Sequence, residues 1–287
     1  MRNTFRGVVL ITGIWLLTFQ NTFSQAVLDN AFAHNDYKHK RPLLDALNWG
    51  VANIEADIFL YKNNLVVAHV MPYFRTDKTL EKLYFKPLLD RFIQNKDIYK
   101  GYKEPIVLMI DIKSDANKTY TKLKELLVKY QSILTRYDNG VTTPGAVTVV
   151  ISGNKPYKLM AAETSRLAFI DDDLKKGWIS NKISKIKELC LMASSKFSRI
   201  TKWDGKKPIT AEEKEKLCVY ITKAHAEGKK VRLWAIPENP VVWTTLMDCG
   251  VDLINSDNLE GMSTYFAQKN LLTNKKILAN YSYQANK

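Results

Sequence analysis

The sequence predicts a parallel α/β fold of the closed (β/α)8 barrel type, as a single domain. Three observations carry this. Short runs rich in β-branched residues alternate with segments of helical periodicity over about 230 residues. That length suits one barrel. The Gly-rich first turn of a nucleotide-binding open sheet is missing, although an open doubly wound sheet stays as the alternative.

The strand candidates, in order, are 30–34 (NAFAH), 51–60 (VANIEADIFL), 64–70 (NLVVAHV), 105–113 (PIVLMIDIK), 146–152 (AVTVVIS), 166–171 (RLAFID), 230–236 (KVRLWAI) and 251–257 (VDLINSD). Between them lie helix candidates. RPLLDALNWG ends at a glycine, a usual helix stop. TLEKLYFKPLLDRFIQN and TYTKLKELLVKYQSIL place apolar residues at helical spacing. In TAEEKEKLCVYITKAHAEGKK, Thr210 and Glu213 stand in capping-box relation and Gly228 lies at the end.

Residues 1–25 differ from the rest. Arg2 and Arg6 precede an apolar run from Val8 to Phe19, and Ser24-Gln25-Ala26 supplies small residues for cleavage. This is the layout of a secretory signal peptide, so the domain is expected to span 26–287, start near Ala26 or Val27, and work in the periplasm or outside the cell. The apolar run is short for a membrane span, which takes about 20 residues; an uncleaved anchor is the alternative. No Cys follows it to accept a lipid.

Hydrophobic content of 46% and charged content of 25% exclude a disordered chain. Removing Arg2 and Arg6 takes the formal charge from +14 to +12. A basic exported protein favours phosphate-bearing substrates, or peripheral contact with an anionic membrane surface. The charge is scattered and no nucleic-acid motif is present, so no nucleic acid is expected as partner; nothing indicates a protein partner. Cys190, Cys218 and Cys249 are sparse and lack a CxxC, which excludes a disulfide framework and a thiolate zinc site. They read as buried apolar thiols with at most one disulfide.

The chemistry starts with EADIF, 55–59. Two carboxylates stand inside an apolar run, where each costs several kcal/mol unless paired or bound to a metal. Residues i and i+2 of a strand share a face, so Glu55 and Asp57 point together, and in MIDIK Asp111 and Lys113 do the same. Barrel active sites form where such strands end. Three carboxylates suit a hard divalent cation, Mg2+ or Ca2+. The alternative is a buried salt-bridge network with Lys113 and a nearby Arg. His34 and His69 end the runs AFAH and VVAH beside these acids, and imidazole is the usual proton carrier near neutral pH. His39 and His225 have no such context and read as surface residues. Ser152 and Asn154 can donate to phosphate oxygens or simply form a turn. Trp234 can cover a head group or pack in the core. The acids 171–173 and Asp257 can cap helices or touch substrate.

The order AHNDY, RPLLDAL, GVANIEADIFL, NNLVVAH resembles the N-terminal block of the phospholipase C-like phosphodiesterase superfamily, glycerophosphodiester phosphodiesterases included. The match is closer to the altered inheritance of mitochondria protein 6 type. That type opens on His-Asn-Asp-Tyr (34–37), followed by a TLEKLYFKPL-like helix (79–88), IDIK (110–113), VVISGN (149–154) and GVDLINSDNL (250–259). The resemblance covers nearly the whole chain after residue 25. It implies a distorted TIM barrel and a phosphoric diester hydrolase acting on a glycerophosphodiester or phospholipid-like substrate. It places Glu55, Asp57 and Asp111 at the metal-ligand positions, and His34 and His69 as the acid–base pair. The family's His-Arg-Gly is here His34-Asn35-Asp36, and the Pro-Glu-Asn-Thr signature is missing. Lys113 is then the candidate to hold phosphate in place of the arginine. A catalytically silent barrel that binds a phosphate-bearing lipid or glycan is the other reading.

Overall fold

The computed structural model describes residues 26–71, 77–174 and 188–271. The expected signal peptide lies outside them. No helix among the described residues is long and apolar enough to cross a membrane.

The strands are β1 (Leu28–Ala33), β2 (Val51–Tyr61), β3 (Asn64–Val67), β4 (Ile106–Ile112), β5 (Arg136–Asp138), β6 (Val141–Thr143), β7 (Val147–Gly153), β8 (Ser165–Arg166), β9 (Phe169–Asp173), β10 (Cys190–Lys196), β11 (Lys230–Trp234) and β12 (Leu253–Ser256). Eight of them pair in parallel in the order β1-β12-β11-β10-β9-β7-β4-β2, and β2 returns to β1. The sheet is therefore a closed barrel, and the open alternative is excluded. Closure leaves no free edge among the eight staves.

Three strands differ from expectation. The run 64–70 is not a stave: β3 folds back antiparallel on β2, with Tyr61 opposite Asn64. Lys62 and Asn63 both take positive φ, 46° and 61°, as a two-residue turn of this kind requires. The stave that 64–70 was expected to supply is instead β10, sixth in chain order, CLMASSK, whose Ala-Ser-Ser centre has low strand propensity. The run 166–171 is displaced: β9 starts at Phe169, so Asp171 and Asp172 lie within the strand and Asp173 closes it.

Two apolar layers result from the alternation of side chains. Outward residues such as Ile54, Ala56, Ile58, Ile110 and Ile151 pack under the helices. Inward residues Phe32, Val107, Met109, Val150, Met192 and Leu253 fill the barrel interior. The outer helices include α1 (Leu44–Asn48), α2 (Lys86–Asn95), α3 (Ala116–Lys129), α4 (Tyr157–Ala161), α5 (Phe197–Ile200), α6 (Ala211–Ala226) and α7 (Pro240–Asp248). Thr210 caps α6 by accepting from the Glu213 N–H at 3.2 Å. Glu213 does not complete the box; its carboxylate accepts from Thr201 and the Lys202 N–H. Cys218 on α6 and Cys249 after α7 form a disulfide, and Cys190 is buried and free.

Candidate active site

Above the apolar plug, at the C-terminal ends of the staves, lies a cavity of about 460 Å3. Its walls include both histidines, all three acids, Lys113, Ser152, Arg232 and Trp234.

The register explains the acids. β2 and β4 are adjacent and place Asp57 opposite Asp111; Glu55 lies two residues earlier on the same face. One carboxylate oxygen from each of the three lies within 4.8 Å of the others. Glu55 and Asp57 are buried. Lys113 Nζ sits 2.9 Å from Asp111 Oδ2 and 3.2 Å from Asp57 Oδ2. Glu55 Oε2 accepts from Arg232 Nη1 at 2.8 Å across the barrel. Arg232 also donates to Ser194 Oγ at 3.3 Å and lies over the Phe32 ring, 4.4 Å from its centroid.

Asp111 Oδ1 is buried with no hydrogen-bond partner among the described residues. Room for it comes from Gly153, whose φ is +67° and where an added Cβ would sit 2.0 Å from that oxygen. Burial raises the Asp111 carboxyl above its ordinary range, against the pull of Lys113. Burial disfavours the Lys113 ammonium, but Asp111 and Asp57 outweigh it and hold the group charged. An oxygen-only donor set with one orphaned carboxylate oxygen fits a hard divalent cation.

The histidines are held at Nδ1. His34 follows β1, and its Nδ1 is 2.6 Å from Asp257 Oδ1. His69 lies two residues beyond β3, whose antiparallel return brings Nδ1 to 2.7 Å from Asp57 Oδ2. A carboxylate oxygen only accepts, so in each ring the proton sits on Nδ1. Tyr37 donates to Asn35 Oδ1 at 2.5 Å and lies 3.2 Å from His69 Nδ1.

Ser152 and Trp234 are on the cavity wall as expected. The Ser152 hydroxyl, however, donates to Asp171 Oδ2 at 3.3 Å. Lys196 Nζ lies 5.8 Å from the Trp234 ring centroid. Asn154 is not brought to the cavity: it is exposed, and its side chain donates to the Ser114 carbonyl at 2.9 Å. The turn reading applies to it, and Lys155 stands on the wall in its place. His39 is half-buried away from the cavity lining, and exposed His225 bonds Asp252 at 2.8 Å.

Sequence reasoning did not single out Arg232, Tyr37, Lys155 or Arg199. Arg232 carried a usable signal, a charge inside the apolar run KVRLWAI. Asp171, left open, is a fully interior carboxylate of β9; burial raises it, and Lys155 and Arg232 offset part of that.

Residues 21–171 match a family described as the AIM6-like phosphodiesterase domain. The altered inheritance of mitochondria protein 6 of Eremothecium gossypii is 30% identical over 284 residues, covering 83% of this chain and 70% of that protein. A homolog from Arthroderma benhamiae is 26% identical, covering 82% of each chain. Among solved structures, a glycerophosphodiester phosphodiesterase from Parabacteroides distasonis superposes with a TM-score of 0.48 and 14% identity, over 84% of this chain and 99% of that one.

Proposed function

The chain belongs to the AIM6-like phosphodiesterase domain family, and from that premise we propose that its barrel is a metal-dependent phosphoric diester hydrolase with histidine acid–base catalysis. One observation carries the reading: three converging carboxylates and two histidines, each ring partnered at Nδ1, face one cavity.

Glu55, Asp57 and Asp111 would hold Mg2+ or Ca2+, which supplies Lewis-acid stabilisation of charge on a phosphate oxygen. Lys113 adds fixed positive charge beside them and does the task of the missing arginine. His34 takes the proton from a hydroxyl attacking phosphorus, through Nε2. As the new P–O bond forms, the bond to the departing alcohol breaks, and His69, entering the step as imidazolium with a second proton on Nε2, gives that proton to the departing oxygen. Exchange with water resets both rings. A hydroxyl neighbouring the phosphate is the expected nucleophile, with a cyclic phosphate as product or intermediate. A glycerophosphodiester or phospholipid-like diester fits this chemistry, with Ser152 and Trp234 beside the bound group.

Export to the periplasm or exterior, with 1–25 removed, completes the reading. The Cys218–Cys249 disulfide supports it, since such bonds persist in oxidising compartments. N-terminal sequencing of the exported protein checks it; a retained leader would sink it.

A second reading is favoured by the internal ion pairs. Lys113 and Arg232 already partner the three acids, as they would in a silent barrel that binds a phosphate-bearing lipid or glycan. Turnover of glycerophosphocholine, a diester that carries the neighbouring hydroxyl, with and without chelator, decides. Cation-dependent turnover supports the hydrolase; phosphate-ester binding without turnover supports the binder.

A further inference from the structure

We propose that Asn35 and Tyr37 are positioning residues that join the two histidines into one hydrogen-bonded unit, holding each ring with its proton on Nδ1 and Nε2 free to exchange. This rests on the acid–base reading above and goes beyond it, because neither residue touches the reacting atoms.

The bridge is continuous. Asn35 Nδ2 donates to both oxygens of Asp257, at 3.2 and 3.3 Å, and lies 2.9 Å from His34 Nδ1. Asp257 is thus shared between the His34 ring and the Asn35 amide. At its other end Asn35 Oδ1 accepts the Tyr37 hydroxyl proton. A phenol has one proton. Having given it to Asn35, Tyr37 can only accept at its second contact, from His69 Nδ1–H at 3.2 Å. Asp57 accepts from the same nitrogen. Asp257 selects the Asn35 amide direction and Asn35 the phenol proton, and the phenol oxygen, sharing the His69 Nδ1 proton with Asp57, reinforces the tautomer that Asp57 sets.

Local structure makes this possible. Asn35 has φ 51°, ψ 35°, the left-handed region that Asn tolerates better than most residues. That turn places Tyr37 against His69, with ring planes 14° apart and centroids separated by 6.4 Å. The departure from His-Arg-Gly at 34–36 therefore puts a neutral amide where it relays orientation between the two rings.

Tyr37→Phe removes one hydroxyl and keeps the ring. The kcat for glycerophosphocholine, whose alkoxide leaving group needs a proton, should fall about tenfold, the worth of one hydrogen bond to a reacting group's partner, while KM moves less than about twofold. Asn35→Gly deletes the amide and keeps the backbone angle accessible. The double variant should lose no more than the larger single loss, and Tyr37→Phe should cost nothing further in a His69→Asn background. Nitrogen-15 NMR of the neutral rings should show Nδ1–H in both histidines of the wild type. Full kcat in Tyr37→Phe alongside a crippled His69→Asn would overturn the bridge, as would additive losses or an Nε2–H tautomer. If His34→Asn and His69→Asn both turn over normally, the acid–base reading fails instead, and the NMR tautomers still judge the bridge.

Discussion

His34 and His69 face one cavity but are held by unequal partners. The His34 side chain is 25% exposed and its Asp257 is 54% exposed; the His69 side chain is 60% exposed, yet its Asp57 is 2% exposed. Asp257 belongs to no other ion pair among the described residues. Asp57 also pairs with Lys113 and belongs to the carboxylate triad. The difference teaches that one ring can be perturbed without touching the proposed cation site, whereas the other shares a group with it.

Asp57→Asn should therefore do the most damage. It disturbs the His69 orientation, the Lys113 pair and the cation site together, so turnover should fall on the order of 10³-fold or more. Calorimetric titration with Mg2+ or Ca2+ should show the affinity lost; unchanged affinity would remove Asp57 from the ligand set. His34→Asn or His69→Asn removes one proton carrier and should cost on the order of 10² to 10⁴ in kcat, with cation affinity nearly constant. The mechanism is falsified if both variants keep near-full turnover.

Asp257→Asn tests the independent side. A solvent-screened partner should be worth on the order of tenfold in kcat, and most of that loss should vanish in a His34→Asn background, the remainder being what Asp257 transmits through Asn35 and Tyr37 to His69. A matching loss of cation affinity would show that the two sides are not separable.

The next contrast appears in stability. Asp36 anchors the His34 loop by accepting from the Leu43 N–H at 2.5 Å and the Tyr84 hydroxyl at 2.8 Å. Burial still raises its carboxyl to about 6, from an ordinary 3.8. The folded state then holds this proton more tightly than the unfolded one, so the group's contribution is greatest below about pH 4 and is lost as pH rises to about 6. The span corresponds to about 2–3 kcal/mol. Asp36→Asn should flatten that part of a urea-midpoint profile; an unaltered slope would assign it elsewhere. Smallest of all, His39→Asn and His225→Asn should leave turnover within about twofold, because neither lines the cavity.

The acids were legible because a carboxylate inside an apolar β run has few physical excuses, and the i, i+2 rule then fixes which ones meet. Arg232 and Trp234 obey the same rule in KVRLWAI, but a lone arginine there gives no partner until closure brings Glu55 within 2.8 Å. β10 escaped notice because Ala193, Ser194 and Ser195 lack the branched side chains that announce a strand. The strand expected at 166–171 stopped at Asp171 because an acidic run looks like a loop; pairing with β10 carries it through Asp172 and Asp173. The bridge through Asn35 and Tyr37 depends on one left-handed backbone angle and was not readable from residue types.

The Glu55–Arg232 pair joins residues 177 positions apart, from the second stave to the seventh. Before the sheet closes, each of these charges must stay hydrated or go unpaired, and burying either alone is costly. Their neutralisation is therefore conditional on ring completion, as in a circuit that conducts only when its last segment is in place. A chain that collapses without β11 would retain an uncompensated acid at the centre of its own site. Pairing of the buried charges on the cavity floor therefore depends on long-range chain closure, a contact of high sequence separation.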